Sequence, residues 1–271
     1  MDFRKINYDV MNDTVDLCTK LDYLKKSIKD SIDRERIVFQ DDKVESGSIV
    51  PNKNMKIMVS GRRTYEAAEQ YKGKKICCLD FANNHNVGGS PWSAGAQEES
   101  MCRISTLYPC IFAKKKEFYD PHRKSFEDGL MDEMGNDDLI YVPDVVVFKT
   151  DDFTPKLKDE SEWFKTDVIV SAAPQLGWNY DEKKYRTVME SRIKRILDVA
   201  SHEKVQALIL GAFGCGAFHN PPEIVADVFA DMIRNYDFET VEFAVFCRGD
   251  TTNFDVFERR FKDLTVQAIY S

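Results

Sequence analysis

The sequence contains no apolar run long enough to span a bilayer, and its start, Met1-Asp2-Phe3-Arg4-Lys5, lacks the apolar core of a secretory signal. These two absences predict an intracellular protein, cytoplasmic or nuclear, with no membrane partner. Positive charge is not in excess: 38 Lys and Arg against 46 Asp and Glu leave a net charge of −8, which argues against direct nucleic-acid binding through phosphate neutralisation. The best local basic candidate is Lys114-Lys115-Lys116, whose alternative is a solvated helix end. The four histidines, 85, 122, 202 and 219, are scattered, and no His-x-x-x-His or Cys-x-x-Cys pair occurs, so neither a metal nor a cofactor is expected. Asp80, Glu98, Glu99 and Asp144 would be the acidic candidates for a Mg²⁺ ion. No Gly-Lys-Ser/Thr ending marks a P-loop, and Ser100 and Ser171 lie outside any Gly-x-Ser-x-Gly elbow.

Cysteine is present without a disulfide pattern. The seven residues Cys18, Cys77, Cys78, Cys102, Cys110, Cys215 and Cys247 are odd in number and spread along the chain, as reduced structural thiols would be. Cys215 is the one candidate nucleophile, in Gly214-Cys215-Gly216, but no histidine is adjacent in sequence to activate it.

What the chain has is length and alternation. Its 271 residues, 43% hydrophobic, can bury a substantial core, and no low-complexity stretch divides them. Val15, Leu17, Leu21, Leu24, Ile28 and Ile32 are spaced for one buried helical face, so residues 1–55 are expected to form a helical extension packed on a core domain of 56–271. A polar turn over 41–48 and a helix over 64–70 beginning at a Thr64 cap follow. Apolar runs at 74–82, 145–148, 167–172, 207–211 and 241–246 read as strands, and 185–202 and 221–236 read as helices. The alternation predicts an α/β fold with a central mixed sheet covered on both faces.

The chemistry concentrates after the first of these strands. Asn83-Asn84-His85-Asn86-Val87-Gly88-Gly89-Ser90-Pro91-Trp92-Ser93-Ala94-Gly95-Ala96 is a small-residue loop closing on Gln97-Glu98-Glu99. Glycines let backbone approach a ligand closely, and adjacent carboxylates oppose each other's ionisation and so keep a proton available. Strand, glycine loop, then helix is the geometry of ligand sites at the carboxyl ends of α/β strands. The bland alternative is two first-turn glutamates complementing a helix N-terminus. A second loop, Gly211-Ala212-Phe213-Gly214-Cys215-Gly216-Ala217-Phe218-His219-Asn220, again follows a strand and precedes a helix. Such a loop presents backbone N–H groups to an anion, or else makes a tight turn. Phe218 is either a surface against which a ligand packs or a plug beneath the loop.

These segments resemble the microbial-type poly(ADP-ribose) glycohydrolases, whose signature is a Gly-Gly-Gly loop followed by Gln-Glu-Glu on a macrodomain-like fold. The resemblance continues through Ser100-Met101-Cys102-Arg103, Leu107-Tyr108-Pro109-Cys110, Tyr141-Val142-Pro143-Asp144, Ser171-Ala172-Ala173-Pro174 and Gly211 to Phe218. It implies a three-layer α/β/α sandwich and an enzyme that releases ADP-ribose from poly(ADP-ribose), from chain ends. By resemblance Glu99 is the general acid and base, Glu98 holds ribose hydroxyls, and Asn86 contacts the terminal ribose. Gly88, Gly89, Ser90 and Gln97 are then expected to contact substrate, as are Gly214, Cys215, Gly216, Ala217 and Phe218 of the pyrophosphate loop. The site needs no metal for glycosidic hydrolysis by a glutamate.

One position departs from the pattern. Ser90 stands where the third glycine is expected, followed at once by Pro91. This motivates one competing reading, an ADP-ribose-binding module without turnover; a second alternative, a mono-ADP-ribosyl hydrolase on protein or nucleic acid, stays open because the helical N-terminus and the insertion over 114–138 are where substrate choice would be decided.

Overall fold

The computed structural model describes residues 2–45, 52, 54–177 and 179–270, with side chains described as far as Lys262. In chain order the elements are α1 (Phe3–Lys20), α2 (Asp22–Ile32), β1 (Arg36–Val38), β2 (Lys56–Ser60), α3 (Thr64–Glu69), β3 (Ile76–Phe81), α4 (Gln97–Ile104) and α5 (Leu107–Ala113). A π-helical turn, Lys115–Tyr119, leads into α6 (Asp120–Glu127). The remainder are β4 (Leu139–Val147), β5 (Phe164–Ser171), α7 (Glu182–His202), β6 (Ala207–Leu210), α8 (Pro222–Ile233), β7 (Thr240–Ala244) and α9 (Thr252–Tyr270), with one 3-10 turn at Glu160–Glu162. No helix among the described residues is long and apolar enough to cross a membrane.

The chain divides into two compact units: Met1–Val38, Asp80–Asp132 and Asp138–Ala172 form the first, and Phe39–Leu79, Glu133–Asp137 and Ala173–Ser271 the second. In the first unit β1 pairs with β4 and β4 with β5, both antiparallel. The β4–β5 register shifts between Val142 and Val145, where Asp144 takes φ 56°. A bulge of this kind re-aims the strand locally. In the second unit β3 pairs with β6, β6 with β7 and β7 with β2, all parallel. Central parallel strands are buried on both faces and so read as continuous apolar runs; Ala207–Leu210 is buried at every position.

The helical pattern of the first 32 residues resolves into two helices, because Leu21 takes an extended conformation (φ −82°, ψ 119°) between α1 and α2. α1 buries Met11, Thr14 and Cys18, whereas Val15 is exposed. Cys18, Leu24, Val146 and Phe148 form one apolar cluster, with Leu17, Leu21, Ile28 and Trp163 packed against it. In α3 the cap falls one residue earlier than expected. Thr64 is the first helical residue, and the Arg63 N–H donates to Glu66 Oε2 at 3.2 Å. Of the polar turn expected over 41–48, residues 46–48 lie outside the described residues; at its start the Asp42 N–H donates to Phe39 O. In the second unit Phe243 of β7 stacks on Phe261 of α9, ring centroids 4.2 Å apart.

Candidate active site

β3 ends in the first unit with Asp80 and Phe81, and the functional loop begins there. Asp80 follows Cys77-Cys78-Leu79 in a strand buried at every position but its last, and both its carboxyl oxygens are buried without a hydrogen-bond partner. The loop is then folded by local chemistry. Asn83 Oδ1 accepts from the N–H groups of His85 (3.0 Å) and Asn86 (2.8 Å), an Asx turn that starts the reversal. Gly88 and Gly89 follow with φ 66° and 64°, the left-handed region that glycine enters without strain. A Cβ on Gly88 would stand 3.0 Å from Cys102 Sγ and from the Tyr108 ring, and one on Gly89 would stand 2.4 Å from Glu99 Oε1. The two glycines are therefore demanded by backbone and by space.

Ser90, the departure from the family pattern, has no such constraint. Its φ is not positive and its side chain is exposed, while its backbone N–H donates to Glu99 Oε1 at 3.1 Å. A serine supplies that N–H as well as a glycine would.

Glu98 and Glu99 open α4 and point into the unit, 3% and 8% exposed. Each is tied to the loop through one oxygen and leaves the other buried without a partner. Glu98 Oε2 accepts from the Asn83 N–H at 2.9 Å and its Oε1 is unpartnered; Glu99 Oε1 accepts from Ser90 and its Oε2 is unpartnered. Gln97 performs the same tie without charge, its Oε1 accepting from the Phe81 N–H at 2.9 Å. Among the described residues no salt bridge reaches Asp80, Glu98 or Glu99. Burial pushes Asp80 well above the ordinary carboxylate range, and the nearby Glu99 adds to it. Burial does the same to Glu98, reinforced by Asp80 and opposed by the Asn83 N–H. Thus the like charge that most affects Glu98 comes from Asp80, not from its neighbour in sequence. Asp80 and Glu98 both favour the protonated form over an ordinary carboxylate, because charging the two of them together in a dry site is costly.

Arg103, 4% exposed, fastens the far side of the loop. Its Nη1 donates to the carbonyls of Pro91 (2.9 Å) and Ala94 (2.7 Å), and its Nη2 to Ser100 Oγ. α1 contributes from outside: Asn7 Nδ2 donates to the carbonyls of Ser93 and Ala94, and Asn12 Oδ1 accepts from Trp92 Nε1 at 2.9 Å. Thr14 Oγ1 donates to Arg103 O, joining helix, arginine and loop.

In the second unit the loop from Gly211 to Asn220 is organised by Asn220. This residue is 2% exposed, and its Nδ2 donates to Pro174 O (2.8 Å) and Gly214 O (3.0 Å). Gly214 has φ 75°, and a Cβ there would meet Asn220 Nδ2 at 2.3 Å and Ala173 Cβ at 2.5 Å. Gly216 and Ala217 are exposed. Phe213 is the buried aromatic of this loop; Phe218 is only partly covered, and its carbonyl accepts from the Leu176 N–H. The Cys215 thiol is pushed up by burial and then by Glu223, which disfavours the thiolate a nucleophile requires.

The structure thus brings Asn86, Gly88, Gly89, Ser90, Gln97, Glu98 and Glu99 together in one unit and places Gly214 to Phe218 in the other. Asp144 pairs with Arg34 at 2.7 Å. Of the lysine run, Lys114 faces buried Glu35 at 3.7 Å and Lys115 pairs with Asp120, so two of its three charges are engaged locally. Asp80, buried at the base of the loop, and Arg103, bonded to its carbonyls, are positions to which sequence reasoning gave no catalytic or loop-holding role. The available signal for Asp80 was a carboxylate inside an otherwise apolar strand.

The family model described as the microbial-type PARG catalytic domain matches residues 11–150. No curated protein matches the chain by sequence. Among solved structures, poly(ADP-ribose) glycohydrolase (PARG) from Thermomonospora curvata is 26% identical with a TM-score of 0.83, over 94% of this chain and 99% of that one. The same enzyme bound to the inhibitor ADP-HPD gives 0.79. PARG from Deinococcus radiodurans in complex with ADP-ribose gives a TM-score of 0.75 at 26% identity, over 88% of this chain and 98% of that one. The matched segment spans more than half of the chain and carries the loop with all three carboxyls, and on that ground this α/β protein belongs to the microbial-type poly(ADP-ribose) glycohydrolase catalytic-domain family, a family of glycoside hydrolases.

Proposed function

We propose that this glycohydrolase cleaves the ribose–ribose bond at the ends of poly(ADP-ribose) with Glu99 as general acid and then general base. The carrying observation is that Glu99 Oε1 is fixed against Gly89 by the Ser90 N–H while its other oxygen, Oε2, is buried and unpaired. In the first step Glu99 gives its proton to the departing glycosidic oxygen as the C–O bond breaks and the sugar takes on oxocarbenium character. In the second, water adds to the anomeric carbon and returns a proton to Glu99, releasing ADP-ribose. Glu98, held at the same loop, accepts hydrogen bonds from ribose hydroxyls, and the buried Asp80 pushes its carboxyl further up. The second glycine loop, Gly214 to Phe218, contacts the pyrophosphate end of the ligand.

Wild type and Glu99→Gln, incubated with poly(ADP-ribose) and with mono-ADP-ribosylated protein, test the assignment. Free ADP-ribose released from polymer by wild type alone, with ADP-ribose binding retained in both, supports it. Release confined to the mono-modified substrate would move the reading to a mono-ADP-ribosyl hydrolase. Binding without release by wild type would make the protein a reader, an outcome that the ordinary backbone of Ser90 gives no reason to expect.

A further inference from the structure

We infer that Arg123 is a positioning residue for Asn86, turning that carboxamide so that its NH₂ group faces the ligand; this rests on the reading of Asn86 as a ribose contact. Arg123 stands on α6, directly after the π-helical turn. Its Nη2 donates to His85 O at 2.8 Å and to Asn86 Oδ1 at 3.1 Å. A guanidinium has donors only, so the carboxamide atom facing it must be the oxygen. The choice between the two flips of Asn86 is therefore settled by its partner, and the Nδ2 donors are turned away from Arg123. An exposed asparagine otherwise rotates freely and presents donor and acceptor alternately. Here the backbone of Asn86 is already held by Asn83 Oδ1, so Arg123 restrains the remaining freedom.

The same segment grips the neighbouring loop residues. The Phe126 ring stacks on His85, centroids 5.2 Å apart and planes inclined by 24°. Asn84 Nδ2 approaches Met131 Sδ at 3.7 Å. Three consecutive loop residues are thus contacted by one stretch that carries none of the family's signature glycines or glutamates. Burial, then Arg123 and His122, lower the His85 pKa, so the ring beside the guanidinium stays neutral and does not oppose it. The chemical consequence is selectivity for a hydrogen-bond acceptor opposite Asn86, as a ribose hydroxyl oxygen provides. An aspartate at position 86 would keep the Arg123 pair and offer the wrong polarity.

Two readouts test this, one of them without ligand. In the apo protein, the side-chain amide of Asn86, followed by selective nitrogen-15 labelling, should be ordered in wild type and averaged in Arg123→Ala. Unchanged ordering would overturn the inference whatever the enzyme's activity. Next, ADP-ribose affinity is measured in the Glu99→Gln background for Asn86→Ala, Arg123→Ala and the pair. Arg123→Ala should weaken binding by about tenfold, the size of one charge-assisted hydrogen bond. The double variant should bind no worse than Asn86→Ala alone, and Asn86→Asp should lose as much as Asn86→Ala. Additive losses, or full affinity in Arg123→Ala, would refute the coupling. Arg123→Lys, which retains the positive charge and N–H donors on one nitrogen, should recover part of the affinity, a result that general destabilisation would not produce. Failure of the parent protein to bind ADP-ribose at all would instead overturn the functional reading, and the amide ordering would still decide the role of Arg123.

Discussion

Replacing Gly89 by alanine isolates the distance on which the catalytic argument depends. The added Cβ would lie 2.4 Å from Glu99 Oε1, 3.0 Å from Glu99 Cδ and 3.1 Å from Glu98 Oε2, at φ 64°. Ordinary contact begins near 3.4 Å, so the Glu99 carboxylate must retreat by about 1 Å or the loop must open. Either movement stretches the 3.1 Å bond from the Ser90 N–H that holds the acid. A misplacement of about 1 Å at a reacting group costs on the order of 10²-fold in rate. The left-handed backbone adds about 1–2 kcal/mol against alanine. For a chain of this size each kcal/mol lowers Tm by roughly 2–4 °C. The expected variant is therefore folded, a few degrees less stable, and about a hundredfold slower in releasing ADP-ribose from polymer. Gly95→Ala is the control, since nothing lies within 4 Å of its Cβ and its φ is not positive. Initial rates and melting curves on both variants are sufficient. A Gly89→Ala enzyme with wild-type kcat and an intact fold would refute the placement of Glu99.

Three other outcomes follow from the same geometry. Glu35, 7% exposed, is pushed from 4.5 up to about 7, chiefly by burial and against the lowering effect of Lys114. The folded state therefore holds this proton more tightly than the unfolded chain, so the Glu35 contribution to stability is greatest below about pH 4.5, falls as pH rises to about 7, and then levels. Glu35→Gln should gain about 1–2 kcal/mol on wild type across that window after allowance for solvent screening; a gap in Tm independent of pH would contradict this. Arg103→Met leaves the Pro91 and Ala94 carbonyls without their donor, and should cost about 2–4 kcal/mol in chemical denaturation together with a fall in kcat. Asn220→Ala removes the side chain that ties Gly214 to Pro174, and should raise the Kd for ADP-ribose several-fold; unchanged affinity would remove the second loop from the binding site.

The loop and its glutamates were legible because their chemistry is local. Glycines, an Asx turn and Glu98-Glu99 lie within 17 consecutive residues, from Asn83 to Glu99, and short-range hydrogen bonds shape most of them. Asp80 was harder to read, because a lone aspartate in a strand acquires meaning only when the chain returns 18 residues later with Glu98. Arg103 ends the Ser100-Met101-Cys102-Arg103 segment, yet its role depends on carbonyls, which have no side-chain signature. β1 and β2 escaped notice for a different reason. Three residues are too few for periodicity, and Lys56-Ile57-Met58 in β2 is exposed at two of three positions. The division of α1 from α2 at Leu21 was invisible because an apolar residue at the break preserves the helical spacing.

The attachment of α1 to Trp92, Ser93 and Ala94 has a thermal consequence. α1 is held by the buried side chains Met11, Thr14 and Cys18 and by one buried cation, Lys149, whose Nζ donates to Val10 O and Thr14 Oγ1 and pairs with Asp13, while the helix's outer face carries solvent-exposed pairs such as Lys5 with Asp9 and Lys20 with Asp16. Exposed pairs contribute little, so this helix belongs among the segments that open below the global unfolding transition. Each opening would release the amides that brace the active-site loop while the strands remain folded. The enzyme would then lose turnover reversibly on warming before its far-ultraviolet signal changes, and hydrogen exchange in α1 would track that loss.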